Sequence, residues 1–203
     1  MMIDTQTRNR RDERHLATRS EIVEASWGLV RENGLSGLAL RDIAAKVGMR
    51  APSLYWYFES KNAIYDAMFA QGNLALLDQI DSEEVPTELR ALLHRLASVF
   101  VRFGAQDAAR FQLMFQRTIP DFEPSPESYA LAIEVVDRTR EWFVASGITN
   151  PAHFDLWTAL VSGLASQQLA NDPGGDRWQR LIDDAVNMFA NHVLNTPSTR
   201  SSR

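Results

Sequence analysis

Apolar residues recur every three or four positions along most of the chain, which is the spacing of one helix face. Breaks at proline and glycine separate the periodic segments, and no strand-like alternation competes with them. The pattern predicts an all-α fold. Helices are expected near residues 40–47, 51–58, 61–81, 87–103, 107–118, 126–146, 151–171 and 176–195.

The stretch between residues 40 and 61 predicts two short helices joined by a tight turn. One apolar stripe marks the first helix: Leu40, Ile43, Ala44 and Val47. Gly48 then supplies a residue that tolerates positive φ just past the helix end. Pro52 falls in the first turn of the second helix, where no amide donor is needed. This arrangement is typical of a DNA-reading helix-turn-helix.

The second of these helices carries more aromatic and polar groups than a small core can bury. Tyr55, Trp56 and Tyr57 span most of the helix circumference, so at least one ring should be exposed. For Trp56 alone, a place in the core is an equal alternative. Hydroxyl groups of tyrosine and of Ser53 can donate to phosphates or base edges, and a ring can pack on a thymine methyl. Lys61 follows as a point charge suited to a phosphate.

A longer set of residues extends this pattern over positions 19–70. It comprises Arg19, Ile22, Ala25, Leu29, Asn33, Gly34, Leu40–Ala44, Val47–Met49, Ser53–Phe58, Lys61 and Ile64. In these residues the chain resembles the TetR family of bacterial transcriptional regulators. The resemblance implies an N-terminal three-helix DNA-binding domain with a helix-turn-helix, fused to a helical domain that binds a ligand and dimerises. It also implies that ligand binding moves the fourth helix and lowers DNA affinity.

The resemblance further implies which residues contact DNA. The corresponding positions here are Arg41, Pro52, Ser53, Tyr55, Trp56, Tyr57 and Lys61. Among them, Tyr55 and Lys61 resemble phosphate contacts, whereas Arg41, Pro52 and Ser53 are better candidates for base edges.

Three positions depart from the family pattern. Leu40 stands where threonine is usual, Arg50 replaces the usual serine or threonine cap of the recognition helix, and Tyr57 stands where histidine is common. We expect Arg50 to contact DNA, although a solvated side chain is the alternative. These departures leave the fold intact and the operator sequence open.

Composition and charge agree with this division of the chain. The 203 residues include no cysteine, which excludes disulfides and cysteine-type metal or redox sites. The net charge is −5, but residues 1–61 hold 10 basic and 8 acidic side chains, whereas residues 62–203 hold 11 and 18. A basic N-terminal part followed by an acidic remainder is typical of a protein that binds DNA through its N-terminal domain. Without an apolar run of about 20 residues or a signal peptide, a cytoplasmic location is expected.

Four segments are predicted from these patterns. They are a basic flexible arm over 1–15, a helix-turn-helix domain over 16–60, a ligand-binding and dimerisation domain over 61–195, and a flexible tail over 196–203. The arm contains Arg8, Arg10, Arg11 and Arg14. It is either a disordered leader or a segment that neutralises phosphates or enters the minor groove.

The last two predicted helices carry wide apolar faces. Candidate dimer-interface residues are Phe154, Trp157, Val161, Leu164, Trp178, Leu181, Ala185 and Phe189. Two such faces can pair with a second copy about a two-fold axis, or they can form the core of a single chain. The family resemblance favours a four-helix dimer interface, and two recognition helices about 34–36 Å apart would then read a palindromic operator.

A ligand site is expected among the helices between residues 87 and 146. Candidate lining residues are Phe100, Phe103, Phe111, Met114, Phe115 and Trp142, with Arg102 among the possible polar anchors. Such a lining suits an apolar ligand, but ordinary core packing is the alternative for each residue.

Catalytic and metal-binding patterns are missing from the sequence. The four histidines, His15, His94, His153 and His192, lack ligand spacing, and no phosphate loop, nucleophile elbow or HExxH occurs. We expect neither an enzyme nor a cofactor. The sequence predicts a DNA-binding regulator, either repressor or activator, and its rival is a helical binding module without specific DNA binding.

Overall fold

The computed structural model describes residues 3–82 and 84–195, with side-chain surroundings from Arg10 onward. Within these ranges the regular structure is helical, so the predicted all-α fold is confirmed. A 3₁₀ turn, Gln179–Leu181, precedes the last helix. The helices are α1 (Ile3–Asn33), α2 (Leu40–Lys46), α3 (Ala51–Leu54), α4 (Lys61–Asp81), α5 (Leu89–Gln106), α6 (Ala108–Phe115), α7 (Pro126–Ala145), α8 (Pro151–Asn171) and α9 (Ile182–Asn195).

Two predicted boundaries differ from the structure. The segment over 1–15, expected to be a flexible arm, continues α1 back to Ile3. Its sequence has no proline and no glycine before Gly28, so nothing local interrupts the helix. The recognition helix ends at Leu54 rather than near residue 58, and a turn follows in which the amides of Trp56 and Tyr57 donate to the carbonyls three positions back, at 3.3 and 2.9 Å. The tail predicted over 196–203 lies outside the described residues.

The chain divides into two units. The N-terminal unit contains the residues up to Gly72 together with Ala109–Tyr129, and the C-terminal unit contains Asn73–Ala108 and the residues from Ala130 onward. This division differs from the predicted boundary at residue 60, since the first twelve residues of α4 belong with the helix-turn-helix.

Side chains of α4 explain its place in the N-terminal unit. Tyr65 is buried and its hydroxyl donates to the Leu35 carbonyl at 2.5 Å. Asp66 accepts from the amide and hydroxyl of Ser125, at 2.7 and 2.9 Å, and from the hydroxyl of Ser128 at 2.8 Å. These bonds tie the start of α7 to α4 through a shared carboxylate.

The C-terminal unit is built around α5, which packs against both α8 and α9. An aromatic cluster fills its core. The ring centroids of Phe143 and Trp157 lie 5.9 Å apart, and those of Trp157 and Phe189 lie 5.1 Å apart. All three side chains are buried, and tilted pairs at these distances are the favoured packing of aromatic rings.

Candidate DNA-binding site

The turn between α2 and α3 is set by local backbone chemistry. Gly48 adopts φ 69°, its amide donates to the Ala45 carbonyl at 3.2 Å, and the Met49 amide donates to the Ala44 carbonyl at 2.8 Å. This pair of bonds is a Schellman motif, which ends a helix at a left-handed residue. The predicted role of Gly48 follows directly from its freedom to adopt positive φ.

Neither short helix has a side-chain cap at its first residue. Ala39 occupies the N-cap of α2 and Arg50 occupies the N-cap of α3, and neither side chain accepts a bond from the helix. This agrees with the departure from the family pattern at Arg50, whereas Leu40 is the first helical residue of α2 and not its cap. Arg50 is exposed, so its guanidinium remains available at the start of the recognition helix.

The aromatic run on and after α3 faces mainly outward. Tyr55 is 58% exposed and Trp56 is 82% exposed, so the alternative that Trp56 is a core residue is wrong. Leu54 and Phe58, four residues apart, are buried and anchor this segment instead. Apolar rings of this size gain free energy by leaving water, so their exposure indicates a surface that meets a partner.

The other predicted DNA contacts surround these rings. The side chain of Arg41 on α2 is 89% exposed. Pro52 is also exposed, whereas Ser53 and Tyr57 are half-buried. The structure therefore places cationic, hydroxyl and aromatic groups on the outer side of the helix-turn-helix, where phosphate and base-edge contacts require them.

Two residues of α1 hold the end of the recognition helix, and they were missed as functional residues by the sequence analysis. Arg19 donates through Nη1 to the Tyr57 carbonyl, and its guanidinium lies 4.1 Å from the centre of the Phe58 ring. His15 stacks on the Tyr57 ring with centroids 4.9 Å apart. Together they fix the orientation of Tyr57. Arg19 is among the residues that carry the family resemblance, which pointed to a role for it. Its contact with Tyr57, 38 positions away, could not be predicted from the sequence.

The side chain of Lys61 already has contacts within the chain. Its Nζ donates to the Leu38 carbonyl at 3.3 Å and lies 5.6 Å from the centre of the Tyr65 ring. Burial raises the pKa of the Tyr65 hydroxyl above its usual value, so this ring stays neutral beside the ammonium group. Lys61 begins α4, and its contact with phosphate stays a prediction.

The basic residues of α1 extend the cationic surface. Arg10, Arg11 and Arg14 are exposed on the helix that also carries His15. The predicted arm is therefore presented as part of a helix, and the side chain of Arg8 lies outside the described surroundings.

The predicted ligand-binding residues are divided between the two units. Phe111, Met114 and Phe115 belong to α6 of the N-terminal unit, where Phe111 is buried and its ring centroid lies 5.1 Å from that of Phe115. The other three residues, Phe100, Phe103 and Trp142, belong to the C-terminal unit. Phe103 is buried, whereas Phe100 and Trp142 are half-buried. Their role in a ligand pocket stays a prediction.

The predicted dimer-interface faces are largely occupied within one chain. Five of the eight residues are buried in the C-terminal unit: Trp157, Val161, Leu164, Ala185 and Phe189. Phe154 and Trp178 are half-buried, and Leu181 is exposed. The reason is that these faces of α8 and α9 pack on α5, so the intramolecular alternative accounts for most of them.

A different stripe of α8 and α9 is left apolar and exposed. Leu156, Ala159 and Gly163 lie on the outer side of α8, and Met188 lies on the outer side of α9. A side chain added at Gly163 would meet no atom within 4 Å. Sequence periodicity predicted both helices. The residues that it proposed for a dimer interface lie mostly on the inner faces of these helices.

The remaining candidate chemistry is sparse. Among the residues with described surroundings, no group of three histidines, cysteines or carboxylates is placed to hold a metal ion. None of the helices described is both long and apolar enough to cross a membrane.

Comparisons with known proteins match the helix-turn-helix region. Residues 22–68 match the sequence model of the bacterial regulatory proteins of the tetR family. The class D tetracycline repressor of Escherichia coli is 38% identical over 50 residues, which cover 25% of this chain and 23% of that repressor. The class E tetracycline repressor of Escherichia coli is 26% identical over 178 residues, which cover 84% of this chain and 80% of that repressor.

The likeness of the fold extends further than the matched sequence. A solved structure of a protein of unknown function from Rhodococcus sp. RHA1 has a TM-score of 0.73 with this chain at 18% identity, covering 86% of this chain and 94% of that one. The chain thus spans about a quarter of the length of the class D repressor in sequence, whereas its fold matches the Rhodococcus protein over most of both chains. Residues 22–68 of this chain are thus similar to the helix-turn-helix region of the bacterial regulatory proteins of the tetR family.

Proposed function

We propose that this protein is a DNA-binding transcriptional regulator, and that it represses its targets by binding a palindromic operator as a dimer. The observation that carries this proposal is the exposed surface of α3, where Tyr55 and Trp56 project from a helix-turn-helix. The tetracycline repressors that match this region are repressors by name, which supports repression over activation.

We propose different tasks for the groups on this surface. Arg41, Pro52 and Ser53 contact base edges in the major groove, since they lie at the start of α3 or one helix before it. Tyr55 and Lys61 contact phosphates on either side. Trp56 packs on sugar or on a thymine methyl, because its indole is the most exposed of the large apolar side chains here.

A dimer is proposed to form through the outer stripe of α8 and α9. Leu156 and Met188 supply apolar area, while Ala159 and Gly163 allow two copies of α8 to approach closely. A two-fold axis at this stripe presents two identical helix-turn-helix units, and a palindromic site then follows from symmetry.

The effector is proposed to be a small apolar molecule whose binding releases the protein from DNA. Phe115 is 39% exposed, and its ring centroid lies 5.1 Å from that of the buried Phe111, so an apolar molecule that reaches this pair would contact both rings. Replacing Phe115 with alanine should abolish the response of DNA binding to the effector while the fold is retained. An unaltered response in a folded Phe115→Ala variant would place the ligand elsewhere.

The proposal is tested by titrating the full chain against the DNA upstream of its own gene and its neighbours at two salt concentrations, with scrambled DNA as control. Specific binding should exceed binding to the control by about 10³ or more. Footprinting should then show two half-sites about one helical turn apart. Weak and equal binding to both DNAs would support the rival interpretation as a helical binding module.

Repression itself needs a separate measurement, since an activator has the same DNA-binding surface. Deleting the gene should raise the expression of a reporter placed behind the operator. A fall in reporter expression would instead identify an activator.

A further inference from the structure

A polar cleft in the C-terminal unit includes Arg102, which the sequence offered as a polar anchor, but none of the predicted aromatic lining residues. One wall is a stripe of α5, on which His94, Ser98 and Arg102 follow one another at four-residue spacing. The opposite wall includes Arg180 of the 3₁₀ turn and Asp183 of α9. The cleft encloses about 250 Å³, which is below the range of about 300–1,000 Å³ for drug-sized ligands. Its size therefore suits a small molecule.

We propose that this cleft binds a small anion of the carboxylate or phosphate class. The guanidinium groups of Arg102 and Arg180 would hold it from opposite walls, and the hydroxyl of Ser98 would donate a further hydrogen bond. Arginine presents planar donors that match both carboxylate and phosphate oxygens, and such charge-assisted bonds are stronger than neutral ones. The proposed anion is thus distinct from the apolar effector.

The charges that line the cleft favour an anion. Two arginines face one carboxylate, that of Asp183, whose Oδ1 lies 3.1 Å from Nε2 of His94. Arg180 pairs through Nε with Asp176 at 3.2 Å. The two arginines of the lining lie in a part of the chain, residues 62–203, that holds 18 acidic and only 11 basic side chains. An anion is therefore drawn to this position within an acidic region.

A buried amide holds the second wall in place before any ligand binds. The side chain of Gln168 is only 1% exposed. Its Oε1 accepts from the amides of Trp178 and Gln179, at 2.9 and 3.4 Å, and its Nε2 donates to the Gly175 carbonyl at 3.1 Å. Gln179 and Arg180 follow directly on this fixed segment. The wall is preorganised, which lowers the entropic cost of binding.

The loop before this wall is also fixed by a carboxylate. Asp172 accepts from the amide of Arg177 at 2.9 Å, and this hydrogen bond is the main reason that the pKa of Asp172 is lowered from its usual value. A side chain at Gly175 would collide with the same carboxylate, since an added Cβ would lie too close to its oxygens. These contacts fix the conformation of the loop that precedes Arg180.

The order Ser98, His94, Asp183 resembles a hydrolase triad, but the geometry favours binding over catalysis. The Ser98 Oγ lies 3.4 Å from Nδ1 of His94, which is longer than the reach of about 2.6–3.2 Å between a nucleophile and its base. The side chain of Asp183 is 78% exposed, whereas the triad carboxylate is buried. A water-exposed carboxylate polarises the imidazole only weakly.

The proposal is tested by isothermal titration calorimetry of the full chain with inorganic phosphate and, separately, with succinate. At least one probe should bind, and the Arg102→Gln/Arg180→Gln variant should bind it at least about tenfold more weakly, which corresponds to one lost charge-assisted contact. A Ser98→Ala variant, which removes only a hydroxyl, should weaken binding severalfold. Binding of only one probe would name the class of anion.

The matched control is Arg138→Gln/Arg140→Gln, which removes the same charge from the C-terminal unit outside the cleft. It should bind the probe as the unmodified chain does, and circular dichroism should show that every variant is folded. Failure of both probes to bind at about 10 mM would overturn the proposal. Equal loss in the control and cleft variants would also overturn it. These titrations contain no DNA, so their outcome is independent of the proposed regulator function.

Discussion

Two groups of aromatic residues have opposite surroundings in this protein. Tyr55 and Trp56 project into solvent from the turn that follows the recognition helix, whereas Phe143, Trp157 and Phe189 pack against one another in the C-terminal unit. Both groups are aromatic, and both were expected on helices from the sequence. The difference shows that an aromatic residue is buried or exposed according to the side chains that can pack on it, and not according to its own apolar character.

Helix length accounts for much of this difference. The four-residue α3 anchors itself through Leu54, and Phe58 anchors the turn that follows, which leaves the rings between them without a core to enter. The 21-residue α8 presents a continuous face to α5, so Trp157 and its neighbours on that face are covered. We infer that the exposed rings serve a partner and the covered rings serve stability.

The largest expected effect is the contrast between two tryptophan variants. Trp157→Ala should lower the free energy of unfolding by about 3–5 kcal/mol, because it leaves a cavity beside Phe143 and Phe189. Trp56→Ala should change it by less than about 0.5 kcal/mol but weaken operator binding. Thermal or denaturant unfolding of the two variants, followed by DNA titration of Trp56→Ala, makes the comparison. Equal destabilisation would show that both rings are core residues.

The next effect concerns the support that α1 gives to the recognition helix. Arg19→Gln should weaken operator binding by about 1–3 kcal/mol, since it removes the bond to the Tyr57 carbonyl and the contact with the Phe58 ring. Arg14→Gln removes one exposed charge from the same helix and serves as control. If the two variants lose equal affinity, Arg19 acts as a surface charge and does not position Tyr57.

The outer stripe of α8 permits a test of dimerisation that leaves the core untouched. Gly163→Arg should prevent pairing of two α8 helices, while the monomer gains about 0.5–1 kcal/mol of helix stability because glycine is replaced within a helix. Thr158→Arg adds the same charge to another side of α8. Sedimentation should show a dimer for Thr158→Arg and a monomer for Gly163→Arg. A dimeric Gly163→Arg would move the interface elsewhere.

The smallest expected effect is carried by the two lysines of the chain. Lys61→Ala should weaken binding to all DNA sequences and reduce the salt slope by about one contact. Lys46→Ala is the matched control, because Lys46 pairs with Glu32 at 3.1 Å. Its slope should be unchanged. Titrations at several salt concentrations measure both slopes, and equal slopes for the two variants would remove Lys61 from the phosphate contacts.

The helix-turn-helix was predictable because its determinants are local. Gly48 must adopt positive φ, Pro52 needs no amide partner, and a run of three aromatics cannot all be buried on one short helix. Each of these arguments uses residues within a few positions of one another. The exposure of at least one of the three rings therefore followed from the sequence, whereas the position of Trp56 was left open between core and surface.

The errors arose where distant residues decide the outcome. The faces of α8 and α9 are periodic, but periodicity does not tell whether the covering partner is α5 or a second copy of the chain. The contact between Arg19 and Tyr57 joins residues 38 positions apart. The polar cleft likewise needs Gln168 to place Arg180, and no local pattern in the sequence reports this contact.

The most direct measurement of the central claim is the affinity of a Tyr55→Ala/Trp56→Ala variant for the footprinted operator and for scrambled DNA, with its unfolding measured alongside. If the exposed aromatic surface reads DNA, operator affinity should fall by about 10² or more, and thermal unfolding should remain close to that of the unmodified chain. Operator affinity within twofold of the unmodified chain, in a variant that folds normally, would contradict the account.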